Sequence, residues 1–398
     1  MTSEWKTYTV QELIDAGMLE EPMDGNHGSI HPKTADYVSS GVPFIMANDL
    51  VNGKVDFQHC AFITEKQAQG LRKGFSHPGD VLLTHKATIG RTAIVSDEYE
   101  TIILTPQVTY YRVKHGISNR YLKYYFDSSE FQQLFSNWAG SGSTRSYLGI
   151  TAQRKLPIVL PPYDVQIKIA KICGVIDEKI YVNQAVNGNL QQQASALFAK
   201  YYEQADGAVP FTSVIQIFGG GTPKTGNPQF WNGTVPFFTP KDVASPYTLT
   251  TEKTITEDGL AHCNSRLYPI NTVFVTARGT VGKVGLSGVP MAMNQSCYAL
   301  IGKELDQLLV YFYTLRTVQA LKHKASGAVF DAITTRDFET ETIRLLADND
   351  ATEFLSVTQP MYEQILNNSI ENIRLASLRD TLLPHLMSGE INVADIPL

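Results

Sequence analysis

The sequence predicts a mixed α/β (α+β) protein in which two copies of one lobe alternate with two long helices. The helices are expected to pair as an antiparallel coiled coil with pseudo-twofold symmetry. Two observations carry this reading. After Pro161 and Pro162 no proline interrupts the run to Tyr202, and apolar residues recur at Ile169, Ile172, Ile176, Ile180, Val186, Leu190, Ala194, Leu197 and Tyr201. Steps of three and four are the period of one helical face, held here for about 40 residues, a rod of roughly 60 Å. The pattern then returns. Ile172, Ile176, Ile180, Leu190, Leu197 and Tyr201 reappear as Val357, Met361, Ile365, Leu375, Leu382 and Leu386, a constant offset of 185 positions (180 to 365). Two helices with matching seams can bury each other.

Asn183 and Asn187 map by the same offset onto Asn368 and Asn372. They either sit in the seam, where polar residues cost stability and fix register, or face solvent. The resulting order is a first lobe at 1–160, a helix at 161–206, a second lobe at 207–347, a helix at 348–390 and a tail at 391–398.

In the first lobe a short helix is expected at Val10 to Ala16. Strands follow at Val42–Met46, Val81–Thr84, Thr92–Val95 and Val108–Val113, separated by Gly and Pro. A helix from Asn119 to Phe135 precedes the small polar loop Ala139–Ser146, and Leu156–Leu160 reads as a buried strand. The second lobe repeats the order. Val235-Pro-Phe-Phe-Thr matches Val42-Pro-Phe-Ile-Met, and Gln295 after Met-Asn is aligned with Gln107 after Thr-Pro. A helix from Leu305 to Lys324, the loop at Ser326-Gly-Ala and a closing strand Ile343–Leu346 complete it. Asp350 with Glu353 reads as a capping box for the second long helix, and Gly389 as the residue that ends it.

A chain of 398 residues exceeds one ordinary core, and 43% hydrophobic with 18% charged residues describes a globular protein. No apolar run reaches the length of a membrane span and Met1-Thr-Ser-Glu-Trp-Lys6 is no signal peptide, so a cytoplasmic location is expected. Cys60, Cys173, Cys263 and Cys297 are scattered, which suits free thiols and excludes a zinc or disulfide frame. Net charge is −6, yet its distribution is uneven. Gly259–Lys303 and Phe131–Tyr163 contain no acid, and between Lys66 and Ser96 Asp80 alone opposes Lys66, Arg72, Lys73, Lys86 and Arg91. Acid-poor patches on an acidic chain suit local contact with a polyanion, the alternative being chance clustering on solvated faces.

Enzyme signatures approach and fail. Leu160-Pro-Pro-Tyr163 has leucine where an amino-methyltransferase needs an amide or acid, and its prolines suit a helix start. Phe218-Gly-Gly-Gly-Thr222 is followed by Pro223 and Pro228, leaving no helix to receive a phosphate. Gly279-Thr-Val-Gly-Lys283 lacks P-loop spacing, and the nine histidines show no metal-type pairing. The best functional candidate is a duplicated segment. Thr84-His-Lys-Ala-Thr-Ile-Gly-Arg91 and Thr276-Ala-Arg-Gly-Thr-Val-Gly-Lys283 share Thr-x-[basic]-x-Thr-x-Gly-[basic]. Thr84, Lys86, Thr88 and Arg91, with Thr276, Arg278, Thr280 and Lys283, supply the hydroxyl and cationic donors that grip phosphates, and Gly90 and Gly282 would admit a close backbone. A plain β-hairpin is the other reading of the same residues. Arg145, in the loop at Ser141–Ser146, could reach a base edge or the DNA backbone. Asn48, Asp49, Lys241 and Asp242 are weaker candidates.

The ordered set of motifs resembles the specificity subunits of type I restriction–modification systems over essentially the whole chain. It consists of Leu160-Pro-Pro-x-x-x-Gln166, Gly219-Gly-Gly-Thr-Pro223, Thr-Ala-Arg-Gly-Thr-Val-Gly-Lys283 and Leu382-Leu-Pro-x-Leu-Met-Ser-Gly-Glu-Ile391. The resemblance implies two target recognition domains, each reading one half of an asymmetric bipartite target in double-stranded DNA. It implies helices that set the spacing and dock two methyltransferase (modification) subunits, with restriction (motor-nuclease) subunits as further partners. No cofactor is expected in this chain; AdoMet, ATP and Mg belong to the partner subunits. The second long helix opens with Leu346-Ala-Asp-Asn-Asp-Ala-Thr352, without the Leu-Pro-Pro and Gln of the first, which puts equal docking of both methyltransferases in question. A non-catalytic coiled-coil scaffold with two protein-binding modules is the alternative, and a self-contained nuclease or methyltransferase lacks its motifs.

Overall fold

A computed structural model describes residues 5–140, 146–244, 246–324, 332–393 and 396. Its two compact units are Met1–Lys179 with Leu375–Leu398, and Ile180–Arg374. The boundary falls inside both long helices, Tyr163–Gln204 and Asp348–Met387, so each unit holds one lobe and part of each helix.

In the first unit the described strands form two main sheets and one two-stranded sheet. The larger runs in the order Met23–Asp24, Val108–Tyr111, Val81–Lys86, Thr88–Ile94, Gly53–Val55 and Leu50–Val51. The smaller runs Ala61–Ile63, Val42–Ile45, Ile102–Leu104 and Phe75–Ser76. The lobe is closed where it begins: Lys6–Thr9 pairs antiparallel with Pro157–Leu160, so the chain leaves for the long helix beside its own entry. Thr9 caps the helix Val10–Asp15 through a capping box with Glu12. The expected single helix from Asn119 to Phe135 is two, Asn119–Asp127 and Ser129–Trp138. Ser128 is the break. Its backbone is extended, its Oγ donates to the Tyr125 carbonyl at 2.7 Å, and the same oxygen accepts from the Phe131 N–H at 3.4 Å. Tyr121, Phe126, Phe131 and Phe135 from these helices share a core with Ile169 and Cys173 of the first long helix and Leu383 and Leu386 of the second.

The second unit repeats the plan with fewer strands among the described residues. One sheet runs Ile215–Gly219, Cys297–Gly302, Val273–Thr276, Val284–Ser287 and Tyr247–Thr248, a second Lys253–Ile255, Trp231–Phe238 and Ala292–Met293, and a third has two strands. Ala208–Pro210 pairs with Thr342–Arg344, the same closure as in the first lobe. Gln307–Lys324 is one unbroken helix. Its core joins Phe312 and Tyr313 to Phe198 and Tyr202 of the first long helix and to Phe354 and Tyr362 of the second.

Strand register corrects one alignment. Val108 faces Thr84 and Cys297 faces Thr276, so Gln107 corresponds to Ser296 and not to Gln295. The capping box expected at Asp350 is also corrected. The second long helix already begins at Asp348, with Ala351 N–H donating to the Ala347 carbonyl at 2.8 Å, so Asp350 lies inside the first turn. Gly389 follows the last turn with φ of 73°, a left-handed backbone suited to glycine.

Within the second unit the helix segments run antiparallel. Asn183 Nδ2 donates to Asn372 Oδ1 at 2.9 Å and to Glu371 Oε2 at 2.7 Å, and one turn on Asn368 Nδ2 donates to Asn187 Oδ1 at 2.8 Å. The offset of 185 positions carries the first asparagine pair onto the second (183 to 368, 187 to 372). Asn183, Asn187 and Asn368 are buried, so the seam reading of these residues holds and the solvent-facing one does not. Ile365 and Leu386 are fully buried, while Ile172, Ile176, Ile180, Leu190, Leu197, Met361, Leu375 and Leu382 are half-buried. Val186 and Val357 are exposed and stand off the seam.

Candidate nucleic-acid interface

The duplicated Thr-x-[basic] segment makes the same threonine clasp in its two places, although its strands extend further in the first, and the fold separates its residues into two jobs. Val81–Lys86 and Thr88–Ile94 are antiparallel, with a register shift between Leu83 and His85. At that irregularity Thr84 is buried, and its Oγ1 accepts from the Arg91 N–H at 2.9 Å. In the second lobe Thr276 is buried, and its Oγ1 accepts from the Lys283 N–H at the same 2.9 Å. Thr84 and Thr276 were expected to face phosphates. They are instead the inner clasps of the loop, because a buried hydroxyl is retained where it satisfies a backbone group.

Gly90 and Gly282 are corrected in the same way. Both have left-handed backbones, with φ of 84° and 74°. The space over them is filled from within: a Cβ at Gly90 would stand 2.2 Å from Gln132 Oε1, and one at Gly282 2.4 Å from Lys322 Cε. In this structure each glycine makes room for a side chain of its own lobe's helices, Gln132 and Lys322. Ala87 and Gly279, the matching turn residues, also have positive φ, 65° and 80°.

What remains outside is the polar set. Lys86, Thr88 and Arg91 are exposed in the first lobe, and Arg278, Thr280 and Lys283 in the second. Each loop is braced from below by the segment that follows the lobe's helices. Lys86 bridges Tyr147 and Leu148 N–H donates to the His85 carbonyl; Arg278 bridges Ala332 and Ile333 N–H donates to the Ala277 carbonyl. Arg145 lies outside the described residues. Tyr147, which the sequence reading passed over, is 50% exposed, with the Lys86 ammonium 6.0 Å from its ring. Its signal was an aromatic directly after a small polar acid-free loop. Asp49 and Asp242 are turn residues: their carboxylates accept from the N–H groups of Met46 and Thr239, both at 2.7 Å.

Beneath the first loop lies a buried polar cluster. His85 is fully buried; its Nδ1 donates to the Leu148 carbonyl at 3.0 Å, and its Nε2 stands 3.9 Å from Asp24 Oδ2. Asp24 is held by Lys73 and by His27 Nε2 at 2.9 Å. Burial pushes the His85 imidazole below its usual range, with Asp24 and the Leu148 carbonyl pulling the other way. Burial would raise the Asp24 carboxyl, but the bonds from Lys73 and His27 hold it below the ordinary carboxylate value.

The glycine run offers no nucleotide site. A Cβ at Gly220 would lie 1.9 Å from the Asn294 carbonyl oxygen, as one at Gly25 would from that of Leu104, so both are backbone-crossing positions. Among the described residues no three His, Cys, Asp or Glu side chains are grouped as metal ligands, and no helix is long and apolar enough to cross a membrane. Gln166, singled out with the Leu-Pro-Pro motif, is buried. Its Oε1 accepts from the Ser118 N–H at 3.0 Å and its Nε2 donates to the Pro161 and Gly116 carbonyls at 2.9 and 3.1 Å. It ties the helix start to its own lobe.

The two matched loops fall in two matched stretches of a known family. The family described as type I restriction modification DNA specificity domain matches residues 2–192 and again 209–372. The chain belongs to that family. Each copy of the DNA specificity domain thus takes in one lobe and much of the helix after it. The MjaIX type I restriction enzyme specificity subunit of Methanocaldococcus jannaschii is 22% identical over 421 residues, covering 98% of this chain and 95% of that one. The HindI type I restriction enzyme specificity subunit of Haemophilus influenzae is 23% identical over 477 residues, covering 98% and 100%. The crystal structure of the type I restriction-modification system S subunit from M. genitalium aligns with a TM-score of 0.57 at 11% identity over 96% of each chain, a likeness of fold. As a member of the DNA specificity family the chain is a DNA-recognition subunit and not a catalytic one.

Proposed function

We propose that each lobe reads one half of an asymmetric bipartite sequence in double-stranded DNA, and that Lys86, Thr88 and Arg91, with Arg278, Thr280 and Lys283, contact its backbone. The observation that carries this is the repeated division of labour in the two loops: a buried threonine clasps the backbone while the cations, from acid-poor stretches of the sequence, stand outside. Cations held on a braced loop suit phosphate contact, which orients a reader without itself specifying bases. Because the two lobes differ in sequence, the two half-sites differ.

The long helices set the separation of the half-sites and dock two methyltransferase subunits, and restriction subunits complete the assembly in the cytoplasm. AdoMet, ATP and Mg enter with those partners. The test is DNA binding by the assembled complex with Arg278→Ala/Lys283→Ala at several salt concentrations. Affinity should fall for cognate and unrelated sequences alike, and the slope of log affinity against log salt should flatten by about two contacts' worth. An unaltered slope removes these residues from the interface.

A further inference from the structure

Both lobes pack an apolar core against their helices, and at one matched position the chemistry differs. In the first unit Asp177, on the first long helix, accepts from Tyr124 OH at 2.7 Å and from Arg379 Nη1 of the second long helix at 2.7 Å. Lys123 Nζ stands 3.5 Å from Asp177 Oδ2 and 2.8 Å from Asp127, and Arg379 is steadied by Asp380 at 2.9 Å. Lys123 is buried, and the side chains of Asp177 and Arg379 are each 27% exposed. One carboxylate therefore joins the lobe's helix to both long helices.

The second unit has the same positions filled otherwise. The helix offset of 185 positions carries Asp177 to Tyr362 and brings Arg379 back to Ala194. The lobe helices align through their first turns: Leu122 N–H donates to the Ser118 carbonyl and Val310 N–H to that of Asp306, an offset of 188. Lys123 and Tyr124 thereby correspond to Tyr311 and Phe312. Tyr362 packs edge-on against Tyr311 and Phe312, with ring centroids 5.8 and 5.7 Å apart, and shares a side-chain hydrogen bond with Tyr311; Ala194 is buried in the same core, and no charged group takes part among these four residues. Four polar residues in one copy are two tyrosines, a phenylalanine and an alanine in the other.

This difference has a mechanical meaning. Hydrogen bonds of 2.7 Å weaken steeply with distance and angle, so a bonded carboxylate admits one pose of the lobe. The matched aromatic cluster holds mainly by ring packing, which is less directional than a carboxylate bonded to three partners. Resting on the bipartite reading above, we propose that Asp177 is a positioning residue: it fixes the pose of the first lobe on its helices and so sets how strictly the complex discriminates the number of base pairs between half-sites. Asp177 touches no DNA in this scheme and acts through Tyr124, Lys123 and Arg379.

The test uses the full chain assembled with its methylating partners, and duplexes carrying the native half-sites with the spacer lengthened or shortened by one base pair. Asp177→Asn should cut the preference for the native spacer by about tenfold, the size of one lost coupling, while recognition of each half-site's bases is kept. Asp177→Glu, which keeps the charge, should recover part of the preference. If Asp177→Asn does not fold, Arg379→Lys, which keeps the charge and loses the planar fork, carries the same test. Equal weakening at every spacer, or an unchanged spacer profile, overturns the inference. A wild-type complex with no preference among half-site sequences is a separate result, which overturns the bipartite reading itself.

Discussion

Asn368 donates from Nδ2 to Asn187 Oδ1 at 2.8 Å across the seam of the two long helices, with both side chains buried. Asn187 Nδ2 lies 3.4 Å from the Ile365 carbonyl and from Ser369 Oγ, and Gln364 Nε2 donates to Asn368 Oδ1 at 2.6 Å. Asn368→Ala should therefore destabilise the fold by about 1–3 kcal/mol, because it leaves buried groups of Asn187 unpaired. The pair Asn187→Leu/Asn368→Leu should recover most of that loss, since a polar seam residue costs stability and contributes register. Urea midpoints of the single and paired variants check this.

Thr84 and Lys86 stand two residues apart and should behave oppositely. Thr84→Val removes the acceptor for the Arg91 N–H and should cost about 1–3 kcal/mol of stability. Lys86→Ala, at an exposed position, should change stability by no more than about 0.5 kcal/mol yet weaken DNA binding in a salt-dependent way. Thermal unfolding and a salt series on the same samples separate the two.

Gln166→Ala should lower the unfolding temperature, since the Ser118 N–H and the Gly116 and Pro161 carbonyls lose their partner together. It should leave assembly with the methyltransferases intact at temperatures where the variant is folded. Size-exclusion of the mixed subunits measures the second point.

His85 predicts an acid-side loss of stability. Its folded value is lowered by burial, so the unfolded chain takes up the proton first, and stability is intact above roughly pH 6.5 and falls as the pH drops below it. Burial lowers His31 likewise, so the slope is shared. His85→Gln should show a shallower fall in unfolding temperature between about pH 7 and 5 than the native chain. Identical slopes would mean that His85 does not titrate on unfolding in this range.

The plan of the molecule was legible because a helix seam must repeat in threes and fours, and copying the gene copied that spacing: Ile180 and Ile365 mark it without any structure. Which hydroxyl faces inward was not legible. Val81 to His85 are all buried, so the strand shows no inside–outside alternation that would distinguish Thr84 from an exposed threonine. The break at Ser128 was hidden because one small polar residue both ends a helix and starts the next without glycine or proline. The Asp177 cluster was invisible for another reason. Its members lie at 123, 124, 177 and 379, and only the fold brings them together.

In the proposed function two different readers, held on paired helices, each specify half of one DNA target. Mapping methylated adenines in DNA from cells expressing the system tests it most directly, once with the native chain and once with residues 1–160 exchanged for another such lobe. Two separate readers should give a bipartite motif in which one half changes and the other half is kept. A motif that changes in both halves, or methylation without any bipartite motif, would contradict it.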